Sequence, residues 1–239
     1  MTKNLRKSPA VVSNSTIPSF MDARAISRVR PQGPTAVGGT YKRITDIGLS
    51  VTAIVLLSPL FVAAAIAVKL CDGGPILFKH ERIGFGGQPF LCLKFRTMTV
   101  DAEAILGNLL HSNPEAAEEW NATQKLKKDP RLTSLGRALR RFSIDELPQL
   151  INVLGGEMSL VGPRPIVADE VVRYGRDFTY YLSARPGLTG AWQISGRSDA
   201  PYSERVRLDS EYCATWSPTK DLLIMLRTIP FLLSGRGSY

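Results

Sequence analysis

The sequence predicts an α+β, mostly helical fold: a re-entrant membrane helix, a β-hairpin and a compact cytosolic helical domain with amphipathic surface helices. Three observations predict it. Ile47 to Val68 is a run of 22 residues without a charge. Two β-rich runs flank Gly84, Gly86 and Gly87. Most of the chain beyond the second run carries apolar residues at helical spacing, interrupted by Gly and Pro.

Length and charge bound the rest. The 239 residues make one good-sized domain plus an appendage, and the net charge of +9 attracts phosphate, whether of nucleic acid, anionic lipid or a nucleotide. Cys71, Cys92 and Cys213 are odd in number, far apart and without a neighbouring His, so neither a disulfide framework nor a zinc site is expected, and a reducing compartment fits.

Residues 1–39 are basic, rich in Ser, Pro and Gly and without hydrophobic period, the composition of a disordered tail. No signal-peptide core succeeds the first basic residues. The apolar run sits within a segment of residues 40–70. At about 1.5 Å per residue it reaches roughly 33 Å, enough for a hydrocarbon core of about 30 Å. Two features argue against a simple crossing. Ser58 and Pro59 stand at its centre, where proline removes a backbone hydrogen bond and the serine hydroxyl can satisfy a freed carbonyl. Lys42, Arg43 and Lys69 put positive charge on both sides, so charge sets no single orientation. A helix-break-helix hairpin satisfies both, with a kinked span as the alternative.

Residues 71–239 form the remaining domain. Ile76 to Arg82 and Phe90 to Arg96 read as a hairpin, and its glycines read as a turn because neither phosphate-loop pattern is present. Lys94 and Arg96 alternate with Phe95 and emerge on one face. Short helices are expected over Val100 to His111, Pro114 to Lys125 and Thr133 to Arg141, the last with Arg137, Arg140 and Arg141 on one face. The stretch "SIDELPQL" then has the form of a capping box, with Ser143 starting a helix whose buried stripe is Leu147, Leu150, Ile151 and Leu154 and whose opposite side carries Asp145, Gln149 and Asn152. "SLVGPRPIV" and "ARPGLTGAWQISGR" are rigid or irregular backbone around Arg164, Arg185, Gln193 and Arg197. Two helices close the chain near Tyr202 to Ala214 and Asp221 to Leu233; the second either lies at a membrane interface or packs in the core.

Outside the stripes stand two carboxylates, Asp145 and Glu146, and the cations Lys94, Arg96, Arg164, Arg185 and Arg197. Chemistry on a pyrophosphate uses this mixture: cations clamp the phosphoryl oxygens while a carboxylate holds a metal. At the second position of a helix Asp145 would stay ionised, which suits a nucleophile, with Glu146 left to hold Mg²⁺. First-turn acids are also common dipole partners with no chemistry. His80 and His111 are isolated, and the zinc-hydrolase pattern is absent.

Five motifs in order, from about Tyr41 to Tyr239, resemble the bacterial polyprenyl-phosphate sugar-1-phosphate transferases, the monotopic phosphoglycosyltransferases. They are the apolar segment with Ser58-Pro59, "KFRTM" from Lys94, "SIDELPQLINVLGGEMSLVGPRP" from Ser143, "RPGLTGAWQISGR" from Arg185 and the terminal "GRGSY". The resemblance implies a magnesium-dependent enzyme on the cytoplasmic face of the bacterial inner membrane. It would transfer a sugar 1-phosphate from a UDP-sugar to undecaprenyl phosphate, releasing UMP. Asp145 falls on the family's nucleophile, forming a phospho-sugar aspartyl intermediate, and Glu146 on its dyad partner. Lys94, Arg96, Arg164, Arg185, Gln193 and Arg197 fall in motifs that bind substrate. The pattern is closest to the short members that begin exopolysaccharide synthesis with UDP-galactose or UDP-glucose. Ala191 departs from the bulky residue frequent before the Trp. Implied partners are UDP-sugar, undecaprenyl phosphate and membrane lipid, not nucleic acid; the terminal amphipathic helix leaves a homodimer open.

Overall fold

The structure, a computed structural model, describes residues 35–123, 126–195 and 201–234. In chain order the elements are helix α1 (Gly39–Asp72), strands β1 (Leu77–Ile83) and β2 (Pro89–Phe95), and helices α2 (Ala102–Ser112), α3 (Pro114–Thr123), α4 (Ser134–Arg141) and α5 (Gln149–Gly155). Then come β3 (Ser159–Val161), α6 (Val171–Tyr174), α7 (Phe178–Leu182), β4 (Gly187–Thr189), α8 (Tyr202–Ala214) and α9 (Pro218–Ser234). The α+β, mostly helical expectation holds.

The apolar segment folds as one helix, not as two helices with a break: α1 runs unbroken through Ser58 and Pro59. Pro59 has no N–H for the carbonyl of Val55, four residues back, and the Ser58 hydroxyl donates to that same carbonyl at 2.9 Å. One orphaned acceptor is thus satisfied locally, and the helix continues.

Both ends of α1 dock on the rest of the chain while its centre stays bare. At the start, Lys42 pairs with Asp221 at 2.5 Å, Arg43 donates to the carbonyls of Val153 and Leu154 at the end of α5, and Asp46 accepts from the Leu160 amide. Near the other end Ala64 and Val68 pack with Phe95 and Leu139, and the Phe61 ring meets Phe95 edge-on at 5.9 Å. Between them Val55 and Leu56 are 65% and 73% exposed, as apolar residues facing lipid would be. The expected tail does not extend to residue 39. Ala36 is buried and the Val37 amide donates to the Ser183 carbonyl, so the last residues before α1 are docked; residues 1–34 lie outside the described residues.

The hairpin forms as the alternation predicts, with Leu77 opposite Phe95 and Ile83 opposite Pro89. A second, parallel pair joins β3 to β4, two stretches whose proline and glycine content marks them only as rigid. Gly162 and Gly187 abut there, and a Cβ on either would collide with the backbone of the other.

The stretch from Ser143 departs from the capping-box expectation. Ser143 has φ 53 and makes no cap hydrogen bond; Ile144–Glu146 is a single 3₁₀ turn, and α5 starts only at Gln149. Pro148 is the physical reason, because it cannot donate to the Ile144 carbonyl and so a helix begun at Ser143 cannot propagate. The stripe is also displaced. Ile151 is 49% exposed, while Gln149 and Asn152, expected outside, are buried. Asn152 is tolerated there because it closes the edge of β2, accepting from the Leu93 amide at 3.0 Å and donating to the Leu91 carbonyl at 2.8 Å.

The final helix begins one turn earlier than its apolar pattern and contains Pro230. Asp221 and Ile224 are buried, whereas Leu222, Leu223, Leu226 and Ile229 are exposed. It therefore packs along one face and bares an apolar one.

Candidate active site

One cavity of about 1150 Å³ gathers the chemistry. Period-two alternation builds its first wall: Phe78, His80 and Arg82 of β1 and Cys92 and Lys94 of β2 line it, with Arg96 just beyond the strand. The 3₁₀ turn before α5 brings Asp145 and Glu146 to the same space, α4 brings Arg140, and the extended segment after β3 brings Arg164. Trp192 and Gln193 close it on the side of β4. Leu60 of α1 and Met225 and Phe231 of α9 supply an apolar wall.

Within it Lys94 Nζ lies 2.5 Å from Glu146 Oε1. Burial works to raise the Glu146 pKa, but Lys94 and then Arg164 outweigh it and hold this carboxyl below the usual range. Asp145 goes the other way. Its burial, and next the charge of Glu146, raise its pKa, against the pull of Lys94 and Arg140. This corrects the helix-dipole expectation: Asp145 is not on a helix, and burial rather than a helix terminus dominates its titration. The two adjacent carboxyls are thus pushed in opposite directions, the kind of divergence found where one group is an acid or nucleophile and its neighbour stays charged.

The cations divide. Lys94, Arg96 and Arg164 reach the cavity, with Arg96 also paired to Asp72 at the end of α1. Arg185 does not line it: its Nε donates to the Gly156 carbonyl at 2.9 Å, tying β4 to the end of α5, and its guanidinium lies over the Phe85 ring. Gln193 lines the cavity, its buried Oε1 without a hydrogen-bond partner. Arg197 and the terminal "GRGSY" lie outside the described residues.

Sequence reasoning leaves three residues of this site unassigned: His80, Arg82 and Arg140. His80 reads as isolated, yet Arg82 donates to its Nδ1 at 3.0 Å, and burial, then the charges of Arg82 and Lys94, lower its pKa. The alternation that places Lys94 and Arg96 on one face applies equally to Phe78, His80 and Arg82 across the hairpin, so that signal is present in the sequence. Arg140 groups with Arg137 and Arg141 by spacing; its Nε donates to Thr97 Oγ1 at 3.0 Å, which turns it toward the carboxylates.

A bound Mg²⁺ fits this donor set only in one form. No cluster of three acidic, His or Cys side chains stands among the described residues. Glu146 would be the protein ligand of a magnesium ion whose other ligands are substrate phosphate oxygens and water, the usual arrangement for that ion.

Residues 37–235 match the bacterial sugar transferase family. The chain is 47% identical over 227 residues to the exopolysaccharide production protein ExoY of Sinorhizobium fredii, covering 95% of this chain and 98% of that one. It is 44% identical over 223 residues to the undecaprenyl-phosphate galactose phosphotransferase of Salmonella typhimurium, 92% of this chain and 47% of the relative. It is 39% identical over 221 residues to the UDP-glucose:undecaprenyl-phosphate glucose-1-phosphate transferase of Caulobacter vibrioides, 88% of this chain and 77% of the relative.

Proposed function

Because this chain belongs to the bacterial sugar transferase family, we propose that it transfers a hexose 1-phosphate, of galactose or glucose, from a UDP-sugar to undecaprenyl phosphate, releasing UMP. The product would be the first lipid-linked intermediate of an exopolysaccharide. The observation that carries the reading is the meeting of Asp145 and Glu146 with Lys94, Arg140 and Arg164 in one cavity that has an apolar wall of Leu60 from α1 and Met225 and Phe231 from α9. A sugar nucleotide needs the cations and a prenyl chain needs the apolar wall.

In this mechanism the ionised Asp145 carboxylate attacks the β-phosphorus of the UDP-sugar. The bond from that phosphorus to the bridging oxygen breaks, UMP leaves, and Asp145 carries the sugar phosphate. An oxygen of undecaprenyl phosphate then attacks the same phosphorus and frees the carboxylate. Lys94, Arg140 and Arg164 bind and orient the phosphate oxygens and offset their charge as it moves to the leaving group. Glu146, already ionised, would hold Mg²⁺, and the ion would supply further charge neutralisation on the diphosphate. Because burial disfavours the charged form of Asp145, its carboxylate is poorly solvated before attack.

Membrane association by α1 would put this chemistry within reach of a lipid phosphate. The docking of both ends of α1 on one domain, with Val55 and Leu56 bare between them, supports an α1 whose two ends stay on the same side of the membrane; in this reading that side is the cytoplasmic one.

The test is a UMP-release screen across UDP-sugars with undecaprenyl phosphate, together with mass measurement of the protein after donor alone. Release with one hexose and a hexose-phosphate adduct on Asp145 are expected. A folded protein that releases no UMP from any UDP-sugar would sink the reading.

A further inference from the structure

Arg164 stands between Pro163 and Pro165, so its own amide is the sole N–H donor of that tripeptide and its placement depends on what grips it from outside. The grip comes from α8. Arg205 Nη2 donates to the Arg164 carbonyl at 3.2 Å, and Asp209, one turn on, braces Arg205 from behind. Asp209 Oδ2 accepts from the Tyr174 hydroxyl at 2.8 Å and lies 3.8 Å from Arg205 Nε. The charges then alternate outward: Arg205 donates to Glu170 at 3.2 Å, Glu170 lies 3.8 Å from Arg82, and Arg82 donates to the Pro165 carbonyl at 3.4 Å. Arg164 and Arg82 line the cavity; Arg205, Asp209 and Glu170 do not.

We propose that Arg205 and Asp209 are positioning residues for the sugar-nucleotide site, holding the backbone of residues 163–165 and so fixing where the Arg164 guanidinium enters the cavity. Stability alone is a poor reason for such a pair, since buried ion pairs often contribute less than well-packed apolar residues. Here they also leave Asp209 Oδ1 and Arg205 Nε buried without hydrogen-bond partners, which adds to the cost of the pair. Burial raises the Asp209 pKa to about 6, with Arg205, Tyr174 and Arg164 opposing the rise. Tyr181 and Cys213 are the other titratable groups coupled to it. The Asp209 carboxyl therefore gains charge as pH rises through about 6, and the brace weakens as pH falls through it.

The inference rests on reading the cavity as the sugar-nucleotide site, and the experiment separates the two. KM for the UDP-sugar and the dissociation constant of UDP are measured for the wild type, Arg164→Ala, Arg205→Gln and the double variant. Arg205→Gln should raise both constants about tenfold with kcat changed far less, as loss of uniform binding requires. The double variant should be no worse than Arg164→Ala alone, because Arg205 acts through Arg164. Asp209→Asn serves where Arg205→Gln does not fold. It should raise KM at neutral pH and remove the rise in KM expected of the wild type as pH falls through about 6. Effects of Arg164→Ala and Arg205→Gln that multiply, or variants that bind UDP as the wild type does, would overturn the positioning role alone. A wild type that does not bind UDP would overturn the site reading and this inference with it.

Discussion

Lys94 Nζ stands 2.5 Å from Glu146 Oε1, one residue along the chain from the buried carboxyl of Asp145. That ion pair keeps Glu146 charged, and the charge on Glu146 in turn adds to the burial that raises Asp145. The lysine is thereby coupled to both carboxyls as well as to any bound phosphate.

Replacing Lys94 by Met should move the acid side of the pH–rate profile. Lys94 lowers the pKa of both Asp145 and Glu146, so its removal raises both, and activity should begin to fall at a higher pH. Rates of UMP release across pH measure this. An acid limb that stays in place, with only a lower plateau, would mean that Lys94 contacts phosphate without tuning the pair.

Asp145→Asn should separate stability from activity. Burial and Glu146 raise the folded-state pKa of Asp145 above its unfolded value, so its contribution to stability is present below the unfolded pKa and is lost as pH rises through the folded one. At neutral pH the charged form weighs against the fold, and the amide removes that cost. Thermal melts should show a higher midpoint for Asp145→Asn near neutral pH, the gap closing toward about pH 4. UMP release should fall on the order of 10³-fold or more, as when a nucleophile is removed. A destabilised variant at neutral pH would contradict the burial argument.

Ser143 offers a local check on the turn that carries the carboxylates. Its φ of 53 is the left-handed region, which costs a residue with a Cβ roughly 1–2 kcal/mol. Ser143→Gly should therefore stabilise the protein by about 1 kcal/mol, and Ser143→Ala should lack the loss of about 1 kcal/mol that removing an N-cap produces. Chemical denaturation in detergent distinguishes these outcomes, and a loss for Ser143→Ala beside no gain for Ser143→Gly would restore the cap.

Cys71 is the exposed cysteine of the three and sits in the last turn of α1, while Thr40 is exposed in its first. A membrane-impermeant maleimide should label Cys71, and a Thr40→Cys substitution in a Cys71→Ala chain, from the cytoplasmic side in both cases. Labelling from opposite sides would establish a span.

Much of this molecule was legible in the sequence because it depends on near neighbours. The period-two pattern located the hairpin, the uncharged run located α1, and Ser58 beside Pro59 announced how the orphaned Val55 carbonyl is satisfied. The residue types of Asp145, Glu146, Lys94 and Arg164 suggested phosphate chemistry, and the structure brings all four to one cavity. Tertiary structure decided what depends on partners far along the chain. Asn152 reads as solvent-facing until β2 supplies its hydrogen bonds, whereas the 3₁₀ turn at Ser143 has a local cause in Pro148 that the capping-box pattern conceals. Arg185 resembles the other cations until the Gly156 carbonyl draws it away from the cavity. The pKa values of Asp145 and Glu146 diverge through burial and through a lysine 52 residues away, and local sequence records neither.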